Sequence, residues 1–103
     1  MIIQETDSVV FCSEQKQAWT NSEGQRHRKG GPAIIESDGS QEWYVEGERH
    51  REDGPALIEV YGRKVWYRKS LRHRIGGPSV IFPDGYQVWY VNGKQATQEE
   101  AER

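Results

Sequence analysis

Three histidines, each followed by arginine, recur at a fixed interval of 23 residues: His27-Arg28, His50-Arg51 and His73-Arg74. Imidazoles can ligate a metal, and guanidinium groups can hold a phosphate or a carboxylate. A zinc site needs its ligands within a few Å of one another, whereas equivalent positions of a two-strand repeat stand roughly 9–10 Å apart, from a strand spacing of about 4.8 Å. The histidines are therefore read as structural. Each is expected to pack on a neighbouring tryptophan or to donate a hydrogen bond to a turn carbonyl, with no metal and no cofactor.

The arginines make two rows. Arg28, Arg51 and Arg74 are joined by Arg26, Arg49 and Arg72 two residues earlier, an offset that would place both rows on one face of a strand. Such a comb could meet phosphates or an acidic partner. Glu46, Glu48, Glu52 and Asp53 lie nearby in sequence, so cross-strand ion pairs and stacking on Trp or Tyr explain the repetition better. The segment from Arg63 to Arg74 is the exception. It holds Arg63, Lys64, Arg68, Lys69, Arg72 and Arg74 with no acid, and is the candidate partner-binding patch, together with the recurring Tyr44, Tyr67 and Tyr90.

Catalysis has little in the residue pattern to support it. No Ser-His-Asp set, no glycine-rich loop opening a helix and no paired carboxylates outside solvated turns are evident. Cys12 is the only cysteine. It cannot form an internal disulfide, and nothing near it in sequence would activate a thiolate. The chain is expected not to be an enzyme.

The elements that position these residues follow from the period. Gly31-Pro32, Gly54-Pro55 and Gly77-Pro78 keep the 23-residue spacing, as do Trp43, Trp66 and Trp89, with Trp19 one residue further off. A unit reads G-P-[AS], two aliphatics, an Asp-Gly or Tyr-Gly turn, Trp-Tyr, a second turn and His-Arg. Asp38-Gly39 marks a tight hairpin, and Glu46-Gly47 and Asn92-Gly93 the next reversal, with Ser70 in place of Gly in the unit between. Proline lacks an N–H and belongs at a strand start or edge. Helical periodicity is absent before the C-terminus, where Thr97-Gln98-Glu99-Glu100 fits a capping box that could carry a last turn through Glu102.

The expected fold is all-β: an elongated, twisted antiparallel meander of stacked two-strand repeats, about seven or eight strands, ending in a short helix or tail. A single repeat domain covers 1–96, with a degenerate unit about 1–30 around Val10-Phe11-Cys12-Ser13-Glu14-Gln15, units about 31–53, 54–76 and 77–96, and a C-terminal tail or short helix over 97–103. Alternation along the strand puts the tryptophans on one face and the tyrosines on the other. Ile35, Ile58 and Ile81 then share one side, and Ile34, Leu57 and Val80 the other.

The period, the W-x-x-x-G-x-x-H half and the glycine-containing strand after it resemble MORN repeats. His is followed here by Arg, and G-P-A stands where that family has a glycine-rich element. The H-R-x-x-G-P-A variant resembles repeats of phage, large-virus and bacterial proteins. The resemblance covers about residues 10 to 95 and implies a single-layer sheet that binds other proteins. It carries over no catalytic residues.

The 103 residues allow one domain with a modest core, and a formal net charge of −2 gives no global pull toward nucleic acid or anionic membrane. No apolar run reaches the roughly 18 residues needed to span a bilayer, and the opening MIIQETDSVVF lacks the basic flank and apolar stretch of a secretory leader. The expectation is a cytoplasmic protein-binding module, with the resemblance implying an inhibitor or adaptor of viral origin acting on a host or defence protein. Homodimerisation through a sheet edge or face is expected, and nucleic-acid binding through the basic patch is the alternative. Carbohydrate or lipid-surface binding by the aromatic rows comes after these.

Overall fold

The computed structural model describes residues 8–13 and 16–101; readings on Glu14, Gln15, Glu102 and the side chain of Cys12 lie outside what it describes. Strands run β1 (Ser8–Ser13), β2 (Lys16–Thr20), β3 (Ile34–Ile35), β4 (Gln41–Glu42), β5 (Tyr44–Val45), β6 (Glu48–Arg49) and β7 (Leu57–Ile58). They continue through β8 (Lys64–Val65), β9 (Tyr67–Arg68), β10 (Leu71–Arg72), β11 (Val80–Ile81), β12 (Gln87–Val91) and β13 (Lys94–Ala96), and the chain ends in α1 (Gln98–Ala101). The fold is an antiparallel meander in the order β1-β2-β3-β4-β7-β8-β11-β12, with β13 continuing it on β12. The molecule measures 43 × 30 × 18 Å.

The run from Gln41 to Val45 is not one strand but two, β4 and β5, and that changes the architecture. Residues 41–42 stay in the principal sheet, while 44–45 pair only with 48–49, in a hairpin of their own. The unit after it divides in the same way, giving β9–β10. In the last unit the path is unbroken, and β12 serves both sheets. Tryptophan is the junction. Trp43 N–H donates to the Ala56 carbonyl of the next unit at 2.7 Å, and its own carbonyl accepts from His50 N–H at 3.2 Å. Trp19 and Trp66 make the same two bonds, to Ala33 and His27 and to Ser79 and His73. Each unit thus contributes to the principal sheet and projects a hairpin from it.

Both turn types follow from backbone sterics. In the first, Glu36 N–H bonds to the Ser40 carbonyl and Gly39 N–H to that of Glu36, with Gly39 at φ +98°. That is a three-residue loop with a glycine bulge rather than the tight hairpin expected at Asp38-Gly39. Asp38 keeps ordinary backbone angles and accepts from Ser40 N–H at 2.9 Å. In the second, both central residues have positive φ: Glu46 and Gly47, Lys69 and Ser70, Asn92 and Gly93. A two-residue loop of this kind matches the right-handed twist of its strands, and Ser70 at φ +69° accepts a conformation that favours glycine.

The core is thin. Ala33, Ala56 and Ser79, which follow each Gly-Pro, are fully buried, and Ile34, Leu57, Val65 and Val80 nearly so. Leu57, Val65 and Val80 cluster, with Tyr67, Phe82, Val88 and Tyr90 packed against them. Ile35, Ile58 and Ile81 are only half-buried, so one aliphatic row is more deeply covered than the other.

Arginine explains the Gly-Pro. The guanidinium of Arg28 lies 3.8 Å from the centre of the Trp19 ring, and those of Arg51 and Arg74 lie 4.0 Å from the rings of Trp43 and Trp66. Each also donates to a proline carbonyl: Arg28 to Pro32 at 3.2 Å, Arg51 to Pro55 at 3.0 Å, Arg74 to Pro78 at 3.1 Å. A Cβ at Gly77 would sit 2.7 Å from the Arg74 guanidinium carbon, and one at Gly54 2.9 Å from that of Arg51. Glycine is required there for close approach. In the last unit Thr97 stands eight residues after Trp89 and α1 packs on β12 and β13. Thr97 N–H donates to the Glu100 carboxylate and Glu100 N–H to the Thr97 hydroxyl, so the expected capping box forms.

Two outcomes are expected. Trp66→Ala removes a junction ring and the stacking partner of Arg74, and should cost about 3 kcal/mol in urea unfolding; a loss under about 1 kcal/mol would show that the tryptophans do not hold the array. Gly77→Ala should cost about 1 kcal/mol alone and much less in an Arg74→Ala background, since the clash is with that side chain. Additive costs in that double-mutant cycle would remove the arginine from the account.

Candidate functional site

Backbone donors at the second turn explain the histidines. The N–H of Glu46 donates to Nδ1 of His27 at 2.9 Å, that of Lys69 to Nδ1 of His50 at 3.1 Å, and that of Asn92 to Nδ1 of His73 at 2.9 Å. The next residue of each turn completes the clasp. Gly47, Ser70 and Gly93 donate to the carbonyls of Arg26, Arg49 and Arg72, each at 2.8 Å. The histidines were expected to pack on a tryptophan or to donate to a turn carbonyl; in the turns they accept from N–H groups instead. Facing a donor, Nδ1 carries no proton, so the ring is neutral with its proton on Nε2. Nε2 of His50 donates to Glu52 at 2.6 Å, and that bond holds the Glu52 carboxyl below its ordinary range. Among the described residues no cluster of three metal-ligating side chains occurs.

The two arginine rows were expected on one face, and they part. Arg28, Arg51 and Arg74 lie on the tryptophans, whereas Arg26 and Arg49 lie 5.7 Å from the Tyr44 ring centre, Arg49 also 5.2 Å from Tyr67, and Arg72 5.2 Å from Tyr90. The two-residue rule fails because β6 and β10 end at Arg49 and Arg72. The chain leaves the pleat there, and alternation no longer applies to the next two residues.

Arg49 sits in a closed network. It donates to Glu42 at 2.9 Å, to the Tyr44 hydroxyl at 3.2 Å and to that of Tyr67 at 3.5 Å, while the Tyr44 hydroxyl donates to Glu42 at 3.0 Å. Burial works against the Arg49 charge, but the Glu42 hydrogen bond and the neighbouring tyrosine outweigh it and hold its pKa above the usual value. Burial and the Glu42 carboxylate push the Tyr44 phenol up.

The members of the candidate basic patch divide into separate groups. Arg63 pairs with Glu59 at 2.5 Å, an acid just outside the segment that looked free of them. Arg72 lies with Tyr67 and Tyr90, whose hydroxyls, Tyr67 first, raise its pKa. Arg74 is held by Trp66 and Pro78. Lys64, Arg68 and Lys69 remain exposed. Arg63, Tyr67, Arg72 and Tyr90 come together around one small cavity of about 100 Å³, floored by Val65, Val80, Phe82 and Val88. Tyr44 belongs to the Arg49 network instead.

Grooves also open between successive His-Arg loops. One of about 570 Å³ lies between the loop 27–32 and the loop 50–53, over Trp43 and Val45; the next, of about 490 Å³, lies over Trp66. Glu52 and Asp53 line both, and Asp53 pairs with Arg51 at 3.0 Å. Their walls mix both charge signs and offer no concentrated field to a phosphate.

Residues that the sequence reading passed over stand on the first turns. Val60, Tyr61 and Tyr86 are 59%, 59% and 64% exposed. The turns are adjacent: Val60 lies 3.8 Å from where a Cβ on Gly39 would be, and Pro83 lies 3.1 Å from that of Gly62. Val60 N–H donates to the Ser40 hydroxyl at 2.9 Å, and Phe82 and Tyr86 pack with ring centres 5.6 Å apart. The available signal was departure from the repeat. The first unit is polar here, Ser37-Asp38-Gly39-Ser40, where the next has Val60-Tyr61-Gly62-Arg63.

Comparison with family models, with curated proteins and with solved structures finds no match for this chain. No helix among the described residues is long and apolar enough to cross a membrane.

The clasp makes a pH prediction. Burial, and after it the charge of Arg68, holds His73 below its ordinary value of 6.5. The unfolded chain therefore takes up this proton before the native one. Stability from His73 is intact above pH 6.5 and is lost as pH falls from there toward the lower native value. Urea midpoints measured from pH 8 to pH 5 should fall in that window. His73→Asn, which offers Oδ1 in place of Nδ1, should fall less; identical slopes would show that His73 does not couple the clasp to pH.

Proposed function

We propose that this chain is a non-enzymatic, cytoplasmic protein-binding module. The observation that carries this reading is the row of exposed apolar and aromatic side chains on adjacent turns: Val60, Tyr61, Pro83 and Tyr86. Contiguous apolar exposure on a small chain marks an interaction surface. The strictly recurring residues offer no such surface, since Trp, His, Arg and Gly-Pro are consumed in holding one unit to the next. Exposed Leu71 and Ile75 extend the same character to the hairpin side. The likeness of the repeat to the MORN pattern supports a binding role, and the form of the variant an inhibitor or adaptor against a host or defence protein. Self-association through the outer edge of β1, which pairs with β2 alone among the described strands, belongs to the same proposal.

The alternative, nucleic-acid binding, rests on Lys64, Arg68 and Lys69, which are exposed and make no ion pair among the described residues. It is the weaker reading, because Arg63 is paired with Glu59, Arg74 is held by Trp66 and Pro78, and Arg72 lies among the tyrosines, apart from these three.

The test is a tagged pull-down from cell lysate with and without nuclease, run in parallel on Tyr61→Ser/Tyr86→Ser and on Arg68→Glu/Lys69→Glu. A stoichiometric protein retained after nuclease by the wild type and lost by the tyrosine variant is the expected outcome. Recovery that depends on nucleic acid and on Arg68 and Lys69 would overturn it. Both variants alter exposed side chains and should melt within a few degrees of the wild type.

A further inference from the structure

The units can be superposed in sequence, and one difference between them leaves a position vacant. Glu42, Val65 and Val88 are equivalent, as are Tyr44, Tyr67 and Tyr90, and Arg49 and Arg72. Register confirms the first set: Glu42 faces Leu57, Val65 faces Leu57 and Val80, and Val88 faces Val80. Around Arg49 the network closes on the Glu42 carboxylate, which lies 2.9 Å from the guanidinium and 3.0 Å from the Tyr44 hydroxyl. Around Arg72, the equivalent of Arg49, the equivalent tyrosines Tyr67 and Tyr90 are present, and the carboxylate is replaced by Val65. Among the described residues no carboxylate lies within 4.0 Å of Arg72. The second arginine of the region, Arg63, takes the position of Ser40.

We propose that the cavity bounded by Arg63, Val65, Tyr67, Arg72, Val80 and Tyr90 is a carboxylate-binding site, which receives an acidic side chain of the protein partner in the role Glu42 plays one unit earlier. The cavity is about 100 Å³, several times the roughly 10–15 Å³ that one water requires. It therefore admits a carboxylate with the methylenes that carry it. Its chemistry is divided to match. Val65 and Val80 are almost fully buried and supply the apolar floor, while two guanidinium groups and two phenols stand around it. Arg63 is held by Glu59, which the Tyr61 hydroxyl also reaches at 2.7 Å, so one wall of the cavity is fixed from the apolar turn row. Arg72 keeps donors to spare for a bidentate contact. The site rests on the protein-binding reading for its source of carboxylate, although not for its chemistry.

The probe is N-acetyl-glutamate α-amide, with the glutamine analogue as neutral control and acetate as the free small carboxylate. Titration is followed by NMR at the Tyr67 and Tyr90 rings. Saturable shifts are expected with the glutamate compound, weakened about tenfold or more in Arg72→Gln by loss of a charge-assisted bond, and absent with the glutamine analogue. Val65→Glu, which supplies the carboxylate from within, should abolish binding. Should that variant fail to fold, Arg72→Gln carries the test, because its side chain is exposed and its backbone carbonyl still holds Gly93. Linear shifts without saturation, or equal binding by Arg72→Gln, would overturn the site. Acetate binding as tightly as the glutamate compound would overturn the assignment to a side chain. A captured partner whose affinity is unchanged in Arg72→Gln would overturn it too while leaving the protein-binding reading intact; glutamate binding with no partner captured would do the reverse.

Discussion

A two-residue turn with positive φ at both positions leaves backbone N–H groups at its tip, and the whole array depends on where those donors go. A backbone donor without an acceptor is costly wherever water cannot replace the lost bond. Here each turn places one N–H on the carbonyl of Arg26, Arg49 or Arg72 and the other on the Nδ1 of the histidine that follows it. The acceptors belong to the preceding unit, so satisfying a local turn creates a long-range bond. An imidazole suits the task because it offers a fixed acceptor at the reach of one side chain and stays neutral above its pKa.

The other recurring residues follow from the same junction. The histidine N–H returns to the tryptophan carbonyl and closes the hairpin against the principal sheet. The arginine after it then lies over that tryptophan ring, with its guanidinium tied to the proline carbonyl of the next unit. Glycine precedes the proline because a Cβ there would meet the guanidinium. A thin sheet with few aliphatics is thus held by many directional contacts, each worth about 0.5–1 kcal/mol at a partly exposed site, rather than by one thick core. Units bind their neighbours pairwise, as in other repeat arrays.

In such a scaffold the exposed apolar turns and the cavity fall to positions where the units differ. The polar turn of one unit becomes Val60-Tyr61 in the next, Glu42 becomes Val65, and Ser40 becomes Arg63. Those exchanges cost the array some internal satisfaction. Arg72 lacks the acid that Arg49 has, and aromatic rings stand in water at Tyr61 and Tyr86. Both features lie on the second and third units, so the turn row and the cavity are neighbours along the array.

Much of the fold was legible because its signals are local. The 23-residue period, the Gly-containing turns, the strand-forming runs and the capping box at Thr97 each depend on residues within a few positions of one another. From them the sequence alone determined an all-β antiparallel meander with a short helical end. The faces of the arginines were not legible, because strict alternation holds only inside a strand and β6 and β10 stop after two residues. Nor was the direction of the histidine bonds, since a ring nitrogen donates or accepts according to what faces it across 19 residues of chain. The grouping of Arg63 and Arg72 around one cavity, apart from Lys64, Arg68 and Lys69, was likewise decided by tertiary structure. Side chains converge there from two units of sequence, and only the stacking of the strands sets the distance between them.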